Sequence, residues 1–252
     1  DDQYIVDVNI EIDEKGNAIH YAVRNEHLKV VKLLAEHPGI DLNARNANAE
    51  TPLFVACKHS FVDIVRYLIS IPGVDLNARA DNFMTPLLIA SKYGYLEVVQ
   101  ILCGKDTVHD STTGAKKQVP LSKKIQKPND ADAENESNEQ QNIADLNVRG
   151  TKRMTPLLLA VKSNQAAVVE FFLSLEGVDV LAMNKMGENA LHIAARSNNQ
   201  LPILQMLINT RKFDVNRPSQ LSGETILHIA ARNKAKEIYD YLMQSASTLS
   251  LN

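Results

Sequence analysis

Tryptophan is absent from this 252-residue sequence, and all aromatic residues together make up only 5% of it. That excludes a core built on large rings and leaves the interior to the small aliphatic side chains behind its 44% hydrophobic content. Cysteine is nearly as scarce: Cys57 and Cys103 are the only two. Each falls in an apolar helical pattern, and they lack ligand spacing to one another. A disulfide framework is excluded, a reducing compartment is expected, and both thiols should pack as small buried hydrophobes. No run approaches the roughly 20 apolar residues of a membrane-spanning helix, and nothing resembles a secretory leader. Charge of one sign is lacking too. Lys and Arg number 27 against 30 Asp and Glu, a net charge of -3, so there is no general field for nucleic acid. The sequence has no helical HExxH pair, no CxxC and no phosphate-binding glycine loop, and no nucleophile has a base beside it. We therefore expect no catalytic residue, metal or cofactor. The chain does not begin with Met, and we expect a cytoplasmic or nuclear piece of something longer.

What the sequence does have is a period. Thr51-Pro52-Leu53-Phe54-Val55-Ala56 returns as Thr85-Pro86-Leu87-Leu88-Ile89-Ala90 and as Thr155-Pro156-Leu157-Leu158-Leu159-Ala160. Looser copies end at Ala22, Ala194 and Ala230, so the alanines step by 34, 34, 70, 34 and 36. A second element, Asp-x-Asn, occurs at Asp7-Asn9, Asp41-Asn43, Asp75-Asn77, Asp145-Asn147 and Asp214-Asn216; at Asp179-Val180-Leu181 its asparagine is lost. Between these markers, apolar residues recur three or four apart, as in Ile64, Val65, Tyr67 and Leu68, and so lie on one helical face. Thr is suited to cap the first helix, with Pro at its first position where a missing N–H costs nothing. Pro38-Gly39 and Pro72-Gly73 end second helices.

With these residues the chain resembles the ankyrin-repeat family, whose signature is T-P-L-H-x-A. The resemblance implies an all-α solenoid of helix-loop-helix repeats with short β-hairpin fingers. On this reading residues 1–15 are the tail of a preceding repeat, and repeats one and two span 16–48 and 49–82. The helical part of repeat three spans 83–103. A polar insertion fills 104–143, and 144–153 supplies the finger that follows repeat three. Repeats four, five and six span 154–186, 187–222 and 223–252, the last with the polar outer face of a C-terminal cap. The insertion splits into a basic half (Lys116, Lys117, Lys123, Lys124, Lys127) and an acidic half (Asp130, Asp132, Glu134, Glu136, Glu139). Its composition predicts disorder. Its acidic half is a candidate to occupy a basic groove in cis, and its basic half weakly resembles a nuclear-import signal.

The resemblance also places candidate sites. His20, His192 and His228 share one slot, which in the family braces the fingers. Two residues after each repeat alanine lies a position that faces the concave groove, and here it reads Arg24, Lys58, Lys92, Lys162, Arg196 and Arg232. Either these long stems cover apolar surface with their heads in water, or they form a basic stripe for an acidic partner segment. His59 and Tyr93 in the next column are candidate anchors. Phe83, Lys152, Arg153 and Met186 are candidate contacts at finger tips, and Arg45, Arg79 and Arg149 are expected to pair with local carboxylates. Asn43, Asn77, Asn147 and Asn216 resemble positions that asparaginyl hydroxylation can modify. The expected function is a monomeric, non-catalytic protein-interaction scaffold without membrane insertion or nucleic-acid binding. The alternative is a targeting or regulatory part of a larger enzyme, channel or secreted effector whose catalytic part lies outside this chain.

Overall fold

The computed structural model describes residues 7–105, 107–109, 116–118 and 143–249. Its helices follow in pairs along the chain: α1 (Ala18–Arg24) and α2 (Leu28–Ala35), α3 (Pro52–His59) and α4 (Val62–Ile69), α5 (Pro86–Tyr93) and α6 (Leu96–Leu102). After a short strand pair, β1 (Thr107–His109) and β2 (Lys116–Gln118), come α7 (Pro156–Lys162) and α8 (Ala166–Ser174), α9 (Ala190–Ala194) and α10 (Leu201–Asn209), and α11 (Ile226–Arg232) and α12 (Lys236–Leu249). β1 and β2 pair antiparallel, Val108 opposite Lys117. The remainder of the insertion expected to be disordered lies outside the described residues.

Local chemistry sets the helix starts. The Thr51 and Thr155 hydroxyls accept from the Phe54 and Leu158 amides, with proline in the first turn. Between the two helices of repeats one to four and six, one residue takes positive φ: Glu26, Ser60, Gly94, Asn164 and Lys234 occupy that slot. At Gly94 a Cβ would meet the end of the Gln165 side chain, so a larger residue there would have to displace that amide.

The chain divides into two compact units, residues 1–81, 85–87 and 97–145 and residues 82–84, 88–96 and 146–252. In the first, α1 packs on α2 and α3, α3 on α4, and α2 on α4. In the second, α7 packs on α8 and α9, α9 on α10 and α11, α8 on α10, and α11 on α12. The repeat alanines 56, 90, 160, 194 and 230 are wholly buried. Leu53, Val65 and Leu68 in the first unit, and Leu158, Val169 and Leu204 in the second, fill the core around them. Burying such side chains contributes on the order of 1.5–3 kcal/mol each. Both thiols are buried as expected; burial pushes Cys57 far up and Cys103 up to about 12.

The Asp-x-Asn element is a double hydrogen-bonding device. Each aspartate accepts from the amide two residues on, as at Asp41 with Asn43 (2.9 Å) and Asp75 with Asn77 (2.8 Å). Asn9, Asn43, Asn77 and Asn147 then bridge to the next repeat. Asn43 Nδ2 donates to the Gly73 carbonyl (2.8 Å) and its Oδ1 accepts from the Asp75 amide (2.8 Å). Asn9 does the same with Gly39 and Asp41, and Asn147 with Gly177 and Asp179 (both 2.7 Å). Asn77 receives the amide of Asp145 across the insertion (2.8 Å), and Ala144 donates to the Leu102 carbonyl (3.0 Å). The inserted segment thus leaves and rejoins the fold at neighbouring points. The fingers are hairpin turns, each closed by a backbone bond such as Asn46 to Glu50 (3.1 Å) or Asn184 to Glu188 (2.9 Å). One bond joins each finger to the next where both lie in one unit, as from Lys185 to Lys152 (2.8 Å), which is too little for a strand ladder.

At Leu181 the asparagine bridge is missing, and the Asp214 amide has no protein acceptor among the described residues. Leu181→Asn should restore the bridge. We expect about 1 kcal/mol of added stability in urea unfolding, and slower hydrogen exchange at the Asp214 amide than in the native chain. Unchanged exchange would show that the bridge cannot form there.

Candidate functional site

The first helix of each repeat ends on the basic column. Lys58, Lys92, Lys162, Arg24 and Arg232 sit in the last turns of α3, α5, α7, α1 and α11, and Arg196 lies just beyond α9. A cation there is favourably placed against the negative end of the helix dipole. The column is not uniform. In the first unit Glu50 holds Lys58 at 2.7 Å and Arg24 at 3.7 Å. In the second, Glu188 holds Arg196, and Glu224 holds Arg232 at 3.0 Å. Lys92 and Lys162 are exposed and have no ion pair among the described residues. Lys92 Nζ lies 5.4 Å from the centroid of the Tyr93 ring.

The cause is one slot. The residue before the helix-opening Thr or Asn reads Glu50, Met84, Met154, Glu188 and Glu224, each eight residues before a member of the basic column. Glu50 and Glu188 are almost fully buried. Burial alone would raise their carboxyls. Hydrogen bonds from Lys58 and Asn46 at Glu50, and from Asn184 and Arg196 at Glu188, outweigh it and hold both below the usual carboxylate range. Met84 and Met154 occupy the same buried slot without charge. These glutamates are the residues the sequence reading passed over.

The neighbouring column is mixed. Asn25 and Asn233 donate to carbonyls of their own helices (both 2.8 Å). His59 stacks on Phe61 with ring centroids 5.5 Å apart, and Tyr93 stacks on Tyr95 at 5.7 Å. Tyr93 is 45% exposed, as a contact residue requires. At the fingers, Phe83 is 59% and Met186 52% exposed, and Lys152 and Arg153 are exposed with positive φ. Phe83, Lys92, Tyr93, Lys152, Arg153, Lys162 and Met186 all belong to the second unit.

The histidines brace fingers in the two repeats where a finger follows. His20 Nε2 lies 3.0 Å from the Glu50 carbonyl oxygen, and His192 Nε2 3.0 Å from that of Arg217. His228, in the last repeat, reaches only Thr225. Phe54, Leu88 and Leu158 take the slot elsewhere. Arg45 and Arg149 donate to the Arg79 and Met183 carbonyls (2.8 and 3.0 Å), so this column reaches backbone in the next finger, with Arg149 also 4.0 Å from Asp179. Among the described residues no cluster of His, Cys, Asp or Glu is placed to hold a metal ion, and no helix is long and apolar enough to cross a membrane.

Family models for ankyrin repeats match 9–69 (many copies), 82–112 (a single repeat), and 134–219 and 157–252 (three copies). The chain belongs to the ankyrin-repeat family. A crystal structure of another ankyrin repeat protein is similar at TM-score 0.70 and 18% identity, covering 95% of this chain and 99% of that one. An ankyrin repeat domain from Acinetobacter baumannii is similar at TM-score 0.65 and 21% identity, covering 90% and 97%. The ankyrin repeat domain of Bcl-3, described as a unique member of the IkappaB protein family, is similar at TM-score 0.69 and 23% identity, covering 94% and 86%. These likenesses concern the fold. Ankyrin repeats as a class are protein-interaction modules, typically without catalytic activity.

Two pH windows follow. Burial holds the His20 and His192 rings below their ordinary pKa of 6.5. The unfolded chain takes up these protons first, so their contribution is complete above about pH 6.5 and is lost as pH falls below it. The lowered carboxyls of Glu50 and Glu188 contribute above about pH 4.5 and lose that contribution as pH falls through their folded values. The urea midpoint should therefore drop in two stages on acidification. His20→Leu with His192→Leu, which copies Leu88 and Leu158, should shrink the upper stage to what His59, also lowered by burial, contributes, and leave the lower. An upper stage undiminished in the double variant would rule out this assignment.

Proposed function

We propose that this ankyrin-repeat chain is a non-catalytic recognition module that binds another protein through the ends of its first helices and its finger tips. The supporting observation is the pair of cations, Lys92 and Lys162, exposed beside the exposed Tyr93 ring. A surface that served only to cover apolar groups has no need to leave charge uncompensated in these repeats while neutralising it in their neighbours. The partner segment is acidic, and charge matching of this kind acts mainly on association rate and selectivity. The overall charge of -3 argues against a nucleic-acid partner.

A second reading concerns the asparagines. Asn43, Asn77 and Asn147 have their side-chain amides engaged in bridges between repeats. Asn216 is exposed and bridges no repeats among the described residues. If a hydroxylase acts on this chain, Asn216 is the site it reaches without opening the ladder, and a one-oxygen mass gain on its peptide would identify it.

Charge reversal tests the main reading. Lys58→Glu, Lys92→Glu and Lys162→Glu together should abolish capture of an acidic partner from source-cell lysate, with the circular dichroism spectrum unchanged. Capture by the native chain should fall as salt rises, and random DNA and RNA should not compete. Retention of the same partners by the triple variant would overturn the assignment of the site to this column.

A further inference from the structure

Repeats three and four depart from the others at two adjacent slots. From repeat two onward, the residue two before the helix-opening Thr or Asn has positive φ: Ala49 (54°), Phe83 (59°), Arg153 (58°), Gly187 (70°) and Gly223 (67°). Glycine takes that conformation freely, whereas a bulky side chain is strained in it. Phe83 is nonetheless 59% exposed, so little burial offsets the strain. One residue on, Met84 and Met154 replace the glutamates that neutralise Lys58, Arg196 and Arg232. A strained bulky tip and a released lysine thus coincide in each of these two repeats. Nothing in the packing asks for the coincidence.

The two repeats are also joined at the relevant point. The Gln165 side chain donates to the Lys92 carbonyl (3.3 Å) and fills the space over Gly94. Gln200 in turn donates to the Val161 carbonyl (3.0 Å) at the end of α7. The helix ends that carry Lys92 and Lys162 each accept a side-chain amide from the following repeat, an exposed bond at Lys92 and a buried one at Val161. The cations project from anchored backbone, not from frayed ends.

We infer that repeats three and four hold the partner-specific contact, and that its occupant is an extended acidic segment of another protein with an aromatic or branched aliphatic side chain beside its carboxylates. This rests on the recognition reading above. Lys92 and Lys162 each take a carboxylate, and Tyr93 and Phe83 take the apolar group. Packed helices lie about 8–10 Å apart, and an extended chain advances about 3.3 Å per residue, so the two carboxylates are about three residues apart. Arg196 and Arg232 contribute little, because binding a new carboxylate there means displacing one already in place. The net charge of -3 favours a protein segment over nucleic acid, whose binding rests on neutralising many phosphates.

Selection of a displayed library of random peptides on the full chain tests this. Enriched peptides should carry two acidic residues about three positions apart next to an aromatic or aliphatic residue. Measured by fluorescence anisotropy, the best of them should bind Lys92→Gln/Lys162→Gln about tenfold more weakly, and Arg196→Gln/Arg232→Gln with less than about a twofold change. Met84→Glu/Met154→Glu keeps every lysine and should also weaken binding. Phe83→Gly should weaken binding while raising the thermal midpoint, a combination that a purely structural residue does not give. If the Arg196/Arg232 variant loses as much as the Lys92/Lys162 variant, or if Phe83→Gly binds like the native chain, the localisation is overturned and the broader reading stands. If no peptide is enriched, or only nucleic acid binds, the broader reading falls and this inference with it.

Discussion

Every helix before α12 is nine residues or shorter, below the length at which an isolated helix persists in water. No repeat can therefore stand alone, and burial between neighbours is the constraint from which the remaining features follow. The wholly buried alanine in the first helix admits close approach. The asparagine bridges and His20 and His192 act where stacked repeats present backbone groups that would otherwise lack partners. Their individual contributions are small, but each joins one repeat to the next, the interface that determines stability in a stacked array.

The same economy shapes the surface. A helix that must bury one face against its neighbour has only its last turn free to present side chains, and each repeat puts a base there. From repeat two onward, what distinguishes the repeats is set at the helix entrance, where one slot holds glutamate or methionine, buried in each case but Glu224. A glutamate there converts the exposed base eight residues on into half of an ion pair. A methionine leaves that base to the solvent. A position largely beneath the surface thereby sets the charge that the surface presents.

The period and the Thr-Pro-Leu element made the repeat fold legible before any coordinates, because cap, proline and buried alanine each have a local physical reason. The bracing role of His20 and His192 was legible from family resemblance. The ion pairs were not seen, since Glu50 and Lys58 meet across a hairpin and a helix, and neither helical nor strand periodicity connects them. Reading the slots at 50, 84, 154, 188 and 224 against those at 58, 92, 162, 196 and 232 would have exposed the pattern. The short β-hairpin fingers take the form of hairpin turns, because a pair of backbone bonds per finger satisfies a turn without building a ladder. The arginine column does more than pair with carboxylates: Arg45 and Arg149 reach carbonyls 34 residues ahead, and Arg149 also lies 4.0 Å from Asp179.

The junction between Leu102 and Ala144 has a consequence for the chain's tolerance of change. A backbone bond closes over the insertion, and Asn77 accepts from Asp145 as Asn43 does from Asp75. Register is thus fixed on the near side of the insertion and is indifferent to how many residues lie in between, since the entropy of closing a loop grows only slowly with its length. The array has in effect a docking port in its primary structure. A change in the number of residues between 105 and 143 therefore costs little at this junction.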